Sequence, residues 1–260
     1  MLRVSDLFEK LTMFFLIAIP LALLPSLIWL LFYLRKDVHP EPNHLIMRVF
    51  VWGMITTIVA AFIIFFFASL ESDFAKRGFF IKDHFPYILT IPIIIIFINA
   101  FWEEVLKYLV VRFSIFKNPE FDEPVDAMEY MIIVALAFAA VENILISANY
   151  SNLKSLSVLL FVRFLGATLI HVLSSATLGF FLAKAVFWKK NRRRFPLRVG
   201  FVVLGTLIAT GLHGIFNFLI IESNNLKEGG ILYLVAGFLI VLSFVVTREF
   251  RRLNYQSLKK

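Results

Sequence analysis

Seven long apolar stretches constrain the fold of this chain more than any other feature of its sequence. A backbone inside a lipid bilayer has no water to bond, so a spanning segment must satisfy its own hydrogen bonds as a helix. A helix needs about 20 apolar residues to cross the hydrocarbon layer. The stretches are Leu11–Leu34, Met47–Leu70, Tyr87–Phe113, Ala127–Tyr150, Leu156–Trp188, Val199–Ile221 and Ile231–Val246. They predict an all-α, polytopic bundle of about seven transmembrane helices.

Composition agrees with this interpretation. Hydrophobic residues make up 60% of the 260 positions and charged residues only 17%, against about 25% in an average soluble protein. Too few polar side chains remain to cover a soluble core, and a disordered or collagen-like chain is excluded. The sequence contains no Cys, which excludes disulfides, thiolate metal sites and cysteine nucleophiles.

The net charge of +8 indicates orientation. Lys and Arg collect in the cytoplasmic connections of membrane proteins. The basic segments are Arg35-Lys36, Arg112 with Lys117, Lys189–Arg194 and Arg248–Lys260. All four are cytoplasmic if the N-terminus is outside, so we expect an N-out/C-in bundle in contact with lipid and no nucleic-acid partner. Neither a repeat nor a linker divides the chain, which predicts one domain, 1–260, with a motif-bearing core at about 87–221.

Polar residues inside four consecutive spans are the main functional signal. Ionisable groups at membrane depth are costly and usually face a bundle interior or a cavity. At 1.5 Å of rise per residue, these groups could share one zone between the midplane and the outer half of the bilayer. The residues are Glu103, Glu104 and Lys107 in the third span, Glu142 and Asn143 in the fourth, Arg163 and His171 in the fifth, and His213 and Asn217 in the sixth.

Helical spacing separates the two neighbouring acids. Lys107 follows Glu103 by four residues and Glu104 by three, so it can reach either carboxylate. The two carboxylates point about 100° apart on the helix and cannot play one role. Arg163 lies near the outer end of its span and could snorkel towards the interface. We interpret it as a structural side chain.

These groups suit hydrolysis without a Ser, Cys or Asp nucleophile. A buried carboxylate near a His can deprotonate water, and His and Asn can donate to a developing oxyanion. Two His with one or two Glu also form a plausible zinc set, although the zincin motif H-E-x-x-H is absent from the sequence. A proton-coupled transporter would use the same residue types as a relay.

The motifs and their order resemble those of the PrsW-type intramembrane proteases, a family similar to the CAAX prenyl endopeptidases. The run Glu103–Lys107 resembles EExxK, and Ala137–Asn143 resembles GFAxxEN. His171 stands where the family has an isolated His, and His213–Asn217 matches HGxxN. The segment Asp37–Pro42 and the pair Trp52-Gly53 resemble the family's first loop and second span. The resemblance covers roughly residues 30–220.

The resemblance implies an enzyme with defined residue roles. Glu103 would activate the water with a His, and His213 and Asn217 would form the oxyanion hole. The residues that would complete the site are Glu104, Lys107, Glu142 and His171, with Asn143 in support. Whether Glu142 or His171 is the partner of the catalytic Glu stays open.

The resemblance also implies a substrate class and a location. The substrate would be a single-span membrane protein similar to an anti-sigma factor, cut near or within a bacterial or archaeal cell membrane. We expect no cofactor, with zinc held by Glu103, Glu142, His171 and His213 as the alternative. Two other functions stay open, namely a non-catalytic scaffold or immunity-type protein on the same fold, and the transporter named above.

Overall fold

The structure is a computed structural model that describes residues 12–76, 87–150, 152–187, 195–226 and 229–257. Its regular elements in these residues are all helical, which confirms the predicted all-α class. They are a π-helical turn at Phe14–Ala18, α1 (Ile19–Leu34), α2 (Asn43–Lys76), α3 (Tyr87–Ser114), α4 (Pro124–Ser147), α5 (Leu153–Leu165), α6 (Ala167–Phe187), α7 (Phe195–Leu226) and α8 (Gly229–Ser257). The basic run Lys189–Arg194, used above to predict orientation, lies outside the described residues.

Six stretches in the described part are long and apolar enough to cross a membrane. They are Phe14–Leu34, Asn43–Phe66, Pro124–Ser147, Leu153–Phe187, Phe195–Ser223 and Gly230–Gln256. The remaining predicted span corresponds to α3, a helix of 28 residues that carries Glu103, Glu104 and Lys107. The multi-pass architecture is therefore confirmed. The N-out/C-in orientation stays a prediction, because the same packing fits either direction of insertion.

The fifth predicted span is two helices instead of one. Gly166 separates α5 from α6 with φ −110° and ψ −92°, outside the helical region. A Cβ at this position would lie 3.1 Å from the carbonyl oxygen of Val162. Hydrophobic residues continue through this break, so hydrophobicity alone could not predict the break. The break lets α5 and α6 take different directions, with Arg163 before it and His171 after it.

Helix α4 forms the centre of the bundle. It is buried without interruption from Val125 to Val141, and it packs against α1, α2 and α6. A helix that is apolar on every side is stable only when other helices surround it. Its two ends are polar: Asp126 and Glu129 lie near the start, and Glu142 lies near the end.

Two glycines allow neighbouring helices to approach α4 closely. A Cβ on Gly179 of α6 would lie 2.6 Å from the Cα of Met128 and 2.7 Å from the carbonyl oxygen of Ala127. A Cβ on Gly53 of α2 would lie 2.7 Å from the Cβ of Ala137. Small residues at helix contacts are typical of membrane bundles, where close packing replaces the hydrophobic effect.

We expect Gly179→Ala to destabilise the bundle by about 1–3 kcal/mol, because the added methyl group meets backbone atoms of α4 that cannot move aside cheaply. Thermal unfolding in detergent measures the effect. Gly237→Ala in α8 is the matched control, since a Cβ there has no neighbour within 4 Å and Ala is favoured over Gly in a helix. Equal melting temperatures for the two variants would contradict this packing.

Candidate active site

Helices α3, α4, α6 and α7 bring six of the predicted site residues into one cluster inside the bundle. Five of them have at most 6% of their surface exposed, and the Glu142 side chain is 26% exposed. The residues are Glu103, Glu104 and Lys107 of α3, Glu142 of α4, His171 of α6 and His213 of α7.

The Glu104 carboxylate is fully occupied by hydrogen bonds. Its Oε1 accepts from Lys107 Nζ at 2.8 Å and from Ser174 Oγ at 3.1 Å, and it lies 3.1 Å from His213 Nδ1. Its Oε2 accepts from Ser175 Oγ at 2.8 Å. Because these donors come from α3, α6 and α7, Glu104 joins three helices and has no free oxygen for a substrate.

The neighbouring Glu103 is different. Its Oε2 is buried and has no hydrogen-bond partner among the described residues. The atom lies 3.8 Å from His213 Nε2 and 3.9 Å from His171 Nδ1. The two acids therefore have separate environments, as their positions on the helix predicted, and Glu103 has the uncommitted oxygen.

His171 is held at both ring nitrogens. Its Nδ1 lies 2.9 Å from Lys107 Nζ, and its Nε2 lies 3.0 Å from Glu142 Oε2. An ammonium group can only donate and a carboxylate can only accept, so a neutral ring with its proton on Nε2 satisfies both contacts. The ring also meets His213 edge to face, with 4.6 Å between centroids.

Arg163 points into this cluster instead of snorkelling towards the interface. Its Nη2 donates to Glu142 Oε2 at 3.0 Å, and its Nε donates to Asn143 Oδ1 at 2.5 Å. The side chain is only 14% exposed. Asn143 is fully buried and donates to Thr168 Oγ1 at 3.4 Å. Glu142 thus lies between the guanidinium group of Arg163 and the ring of His171.

Two hydroxyl groups were missed by the sequence reasoning, and one predicted residue stays apart. Ser174 and Ser175 follow His171 by three and four residues, so helical spacing places them on the same face and could have identified them. Asn217 is half-buried one turn after His213. Within the described residues, no hydrogen bond to its side-chain amide is found, so the structure does not link it to the cluster.

With all three of its carboxylates ionised, the cluster has one negative charge in excess. Three carboxylates, those of Glu103, Glu104 and Glu142, face two permanent cations, Lys107 and Arg163. With both His rings neutral, the sum is −1. Uncompensated charge is expensive at low dielectric, so one additional proton or cation would stabilise this site.

The donor set also fits a metal ion. One ligand atom each from Glu103, His171 and His213 lies within 4.8 Å of the other two. Carboxylate and imidazole groups are common zinc ligands, and the free Oε2 of Glu103 could serve as one of them. Glu142, named above in the alternative zinc set, lies outside this group, and His171 Nδ1 is already in contact with Lys107.

Comparison with known proteins identifies the family. The model of the family described as "PrsW family intramembrane metalloprotease" matches residues 41–247. A "Protease PrsW" from Geobacillus kaustophilus is 31% identical over 192 residues, 73% of this chain and 73% of its own length. A "Protease PrsW" from Bacillus subtilis is 28% identical over 194 residues, 75% of this chain and 78% of its own. No solved structure matches the chain.

These relatives are bacterial and give no support to the archaeal alternative. The matched region includes all the residues of the cluster described above. Six stretches of the described residues are long and apolar enough to cross a membrane. The chain therefore belongs to the PrsW family of intramembrane proteases and is a multi-pass protein of the bacterial membrane.

Proposed function

We propose that this protein hydrolyses a peptide bond of a single-span membrane protein, and that Glu103 activates the attacking water. One observation carries the assignment. Of two adjacent buried carboxylates, Glu104 is saturated by hydrogen bonds, while Glu103 turns an unpartnered oxygen towards His171 and His213. A general base must have such a free oxygen to accept a proton.

We place the additional proton of the cluster on His213. A proton on His213 removes the excess negative charge, because its ring lies between the carboxylates of Glu103 and Glu104. With Nδ1 donating to Glu104, the Nε2–H of this imidazolium is available to donate to a substrate carbonyl oxygen. Asn217, one turn away, would be the second donor after substrate binding.

The reaction then proceeds in two balanced steps. Glu103 removes one proton from water as the water oxygen bonds to the scissile carbonyl carbon, and His213 stabilises the resulting oxyanion. Glu103 next gives that proton to the amide nitrogen as the C–N bond breaks. The products are a carboxyl group and an amine, and Glu103 returns to its ionised form.

The other residues hold this geometry. Lys107 is shared between Glu104 and His171, which keeps the His171 ring neutral and in one tautomer. Glu142 anchors the opposite ring nitrogen of His171 and is itself anchored by Arg163. We assign His171 the role of positioning the water beside Glu103, with Glu142 as its orienting partner.

Metal independence is part of this proposal. A proton on His213 brings the charge of the cluster to zero, whereas a divalent ion in the same place would bring it to +1 beside the ammonium group of Lys107. If the metal implied by the family description is bound, Glu103, His171 and His213 would hold it, and it would supply Lewis-acid activation of the water.

The family and the position of the site both support a membrane-embedded substrate. Three of the four helices that carry the cluster, α4, α6 and α7, belong to stretches long and apolar enough to cross a membrane, which favours a peptide bond at membrane depth. We propose a single-span anti-sigma-factor-like protein, as the family resemblance implies.

We expect Glu103→Gln to abolish cleavage, with a loss of at least about 10²-fold, because an amide cannot accept the proton from water. Mapping of new peptide termini in membranes that contain the wild type or the variant measures this. The matched control is Glu104→Gln, which removes the charge that holds Lys107 and His213 and should lower the melting temperature as well as the activity. Glu103→Gln should keep the wild-type melting temperature. Cleavage by Glu103→Gln at the wild-type rate would refute the assignment. If variants of Glu103, His171 and His213 all gave the same peptide map as the wild type, a non-catalytic scaffold would be favoured.

We expect Arg163→Gln to reduce the turnover rate by about 10²-fold, because displacement of a positioning group by about 1 Å has an effect of this size. Arg163→Lys should recover part of the activity, since it keeps the charge opposite Glu142 but loses the contact to Asn143. Lys154→Gln, an exposed change on the same helix, is the control and should have wild-type kinetics. A full loss of folded protein in Arg163→Lys would indicate a structural role instead.

Elemental analysis tests metal independence. We expect purified, active protein to contain no stoichiometric zinc and to keep its cleavage rate after treatment with 1,10-phenanthroline. One zinc per chain, together with loss of activity in the chelator and recovery with zinc, would overturn this part of the proposal and leave the hydrolytic assignment intact.

A further inference from the structure

A cavity of about 470 Å³ opens where three helices of the bundle have an end. Helix α4 contributes its first residue, Pro124, while α6 and α8 contribute residues of their last turns. The apolar stretches that contain these helices, each long enough to cross a membrane, have ends at Pro124, Phe187 and Gln256. All three of these residues line the cavity. Its position therefore corresponds to the boundary between the hydrocarbon layer and the lipid headgroups.

The lining of this cavity combines positive charge with apolar surface. None of the described residues that line it is acidic. Such a lining matches an amphiphilic molecule with a negatively charged head. The polar lining residues are Lys184, Arg252 and Gln256, and the apolar ones are Pro124, Phe180, Ala183, Phe187 and Leu253.

Lys184 has aromatic neighbours in place of an acidic partner. Its side chain is half-buried, and its Nζ lies 4.2 Å from the ring centroid of Phe180 and 5.7 Å from that of Phe181. Among the described residues, no carboxylate oxygen lies within 4.0 Å of this nitrogen. Aromatic faces attract an ammonium group, but they carry no net charge to neutralise it. Because a half-buried charge without a counterion is costly, an anion in the cavity would stabilise Lys184.

Arg252 supplies the second positive charge, closer to water. Its side chain is 62% exposed, and its Nη1 donates to Glu249 Oε2 at 3.4 Å, one turn earlier on α8. Exposed ion pairs of this kind are weak. The guanidinium group also has further N–H donors in a planar fork, which suits the oxygens of a phosphate group.

The acids near the start of α4 have other partners. Asp126 Oδ2 accepts from the backbone N–H groups of Asp122 and Glu123, and the Glu123 carboxylate lies 3.0 Å from His39 Nδ1. These acids therefore leave the positive charge of the cavity uncompensated.

We propose that this cavity binds an anionic glycerophospholipid such as phosphatidylglycerol. The phosphate group lies between Lys184 and Arg252, Gln256 donates to a headgroup oxygen, and an acyl chain packs against Phe180 and Leu253. Basic pockets between membrane helices on the cytoplasmic side are suited to anionic headgroups, and the N-out/C-in orientation predicted above places this cavity on that side.

This lipid site is separate from the catalytic cluster. Lys184 follows His171 by 13 residues on α6, which is about 20 Å along the helix axis. A lipid in the cavity contacts the ends of α4, α6 and α8 at once, so its binding holds these three helices together. The site is therefore expected to act on the stability of the bundle.

Thermal unfolding of purified protein in an uncharged detergent tests the proposal without reference to proteolysis. We expect phosphatidylglycerol in the mixed micelles to raise the melting temperature saturably, by about 3–5 °C at ten times its dissociation constant. Phosphatidylcholine should raise it by less than about 1 °C, because its trimethylammonium group adds a positive charge beside Lys184 and Arg252.

Two variants remove the charges one at a time. Lys184→Met keeps the length and the apolar contacts of the side chain and should lose the shift caused by phosphatidylglycerol. Without lipid, its melting temperature should be equal to or above that of the wild type, because the uncompensated charge is gone. Arg252→Gln, a change at an exposed side chain, should reduce the shift by at least about half.

Arg251→Gln is the matched control. This exposed neighbour has the same charge on the same helix but does not line the cavity, so the variant should keep the full shift. Equal shifts with phosphatidylglycerol and phosphatidylcholine would overturn the proposal, and so would equal shifts in the wild type and Lys184→Met. Glycerol 1-phosphate, which has the phosphate group but no acyl chain, should give no shift. A full shift with it would show a site for soluble phosphates and would overturn the assignment to a lipid.

Discussion

The Glu104 carboxylate joins three helices in the apolar interior of the bundle. Helix α3 supplies the acid and Lys107, α6 donates two hydroxyl groups from Ser174 and Ser175, and α7 supplies the ring of His213. A buried ion pair is stable only when its remaining hydrogen-bonding positions are also filled. Each contact here fills one of them, so the three helices can pack in only one register without leaving a charge exposed to lipid. The position of every other group in the site depends on that register.

The saturation of one acid also isolates its neighbour. Residues adjacent on a helix differ by about 100° in direction, so the helix that aims Glu104 at Lys107 and the serines must aim Glu103 elsewhere. The Glu103 carboxylate therefore points to the place where the rings of His171 and His213 meet. A reactive carboxylate needs incomplete solvation, and a stable fold needs complete solvation of buried charge. The adjacent pair divides these two requirements between two side chains.

The sequence predicted the parts of this structure that follow from composition and from single-helix geometry. Apolar runs predicted the spans, and rise per residue predicted that Glu103, His171 and His213 could meet. It did not predict the break at Gly166, because hydrophobicity is continuous across it. Nor did it predict the direction of Arg163, since snorkelling and an inward hydrogen bond need the same residue at the same depth. Which side chains meet between two helices depends on the rotation and the crossing angle of those helices. The spacing of residues within one helix determines neither.

Helix α4 connects its two polar ends mechanically. Between Tyr130 and Val141 the helix is buried and carries no ionisable group other than Tyr130. Only packing therefore sets the height of this stretch, which is its position along the axis of the bundle. Packing against Gly53 and Gly179 resists separation of the helices, but apolar surfaces resist sliding weakly. Polar contacts at the two ends supply that resistance. At one end Glu123 contacts His39 and Tyr130 donates to Glu41, both in the loop before α2. At the other end Glu142 contacts Arg163 and His171. Since a helix is stiff over this length, the height of Glu142 beside His171 depends on how firmly the acidic end of α4 is held to the first loop.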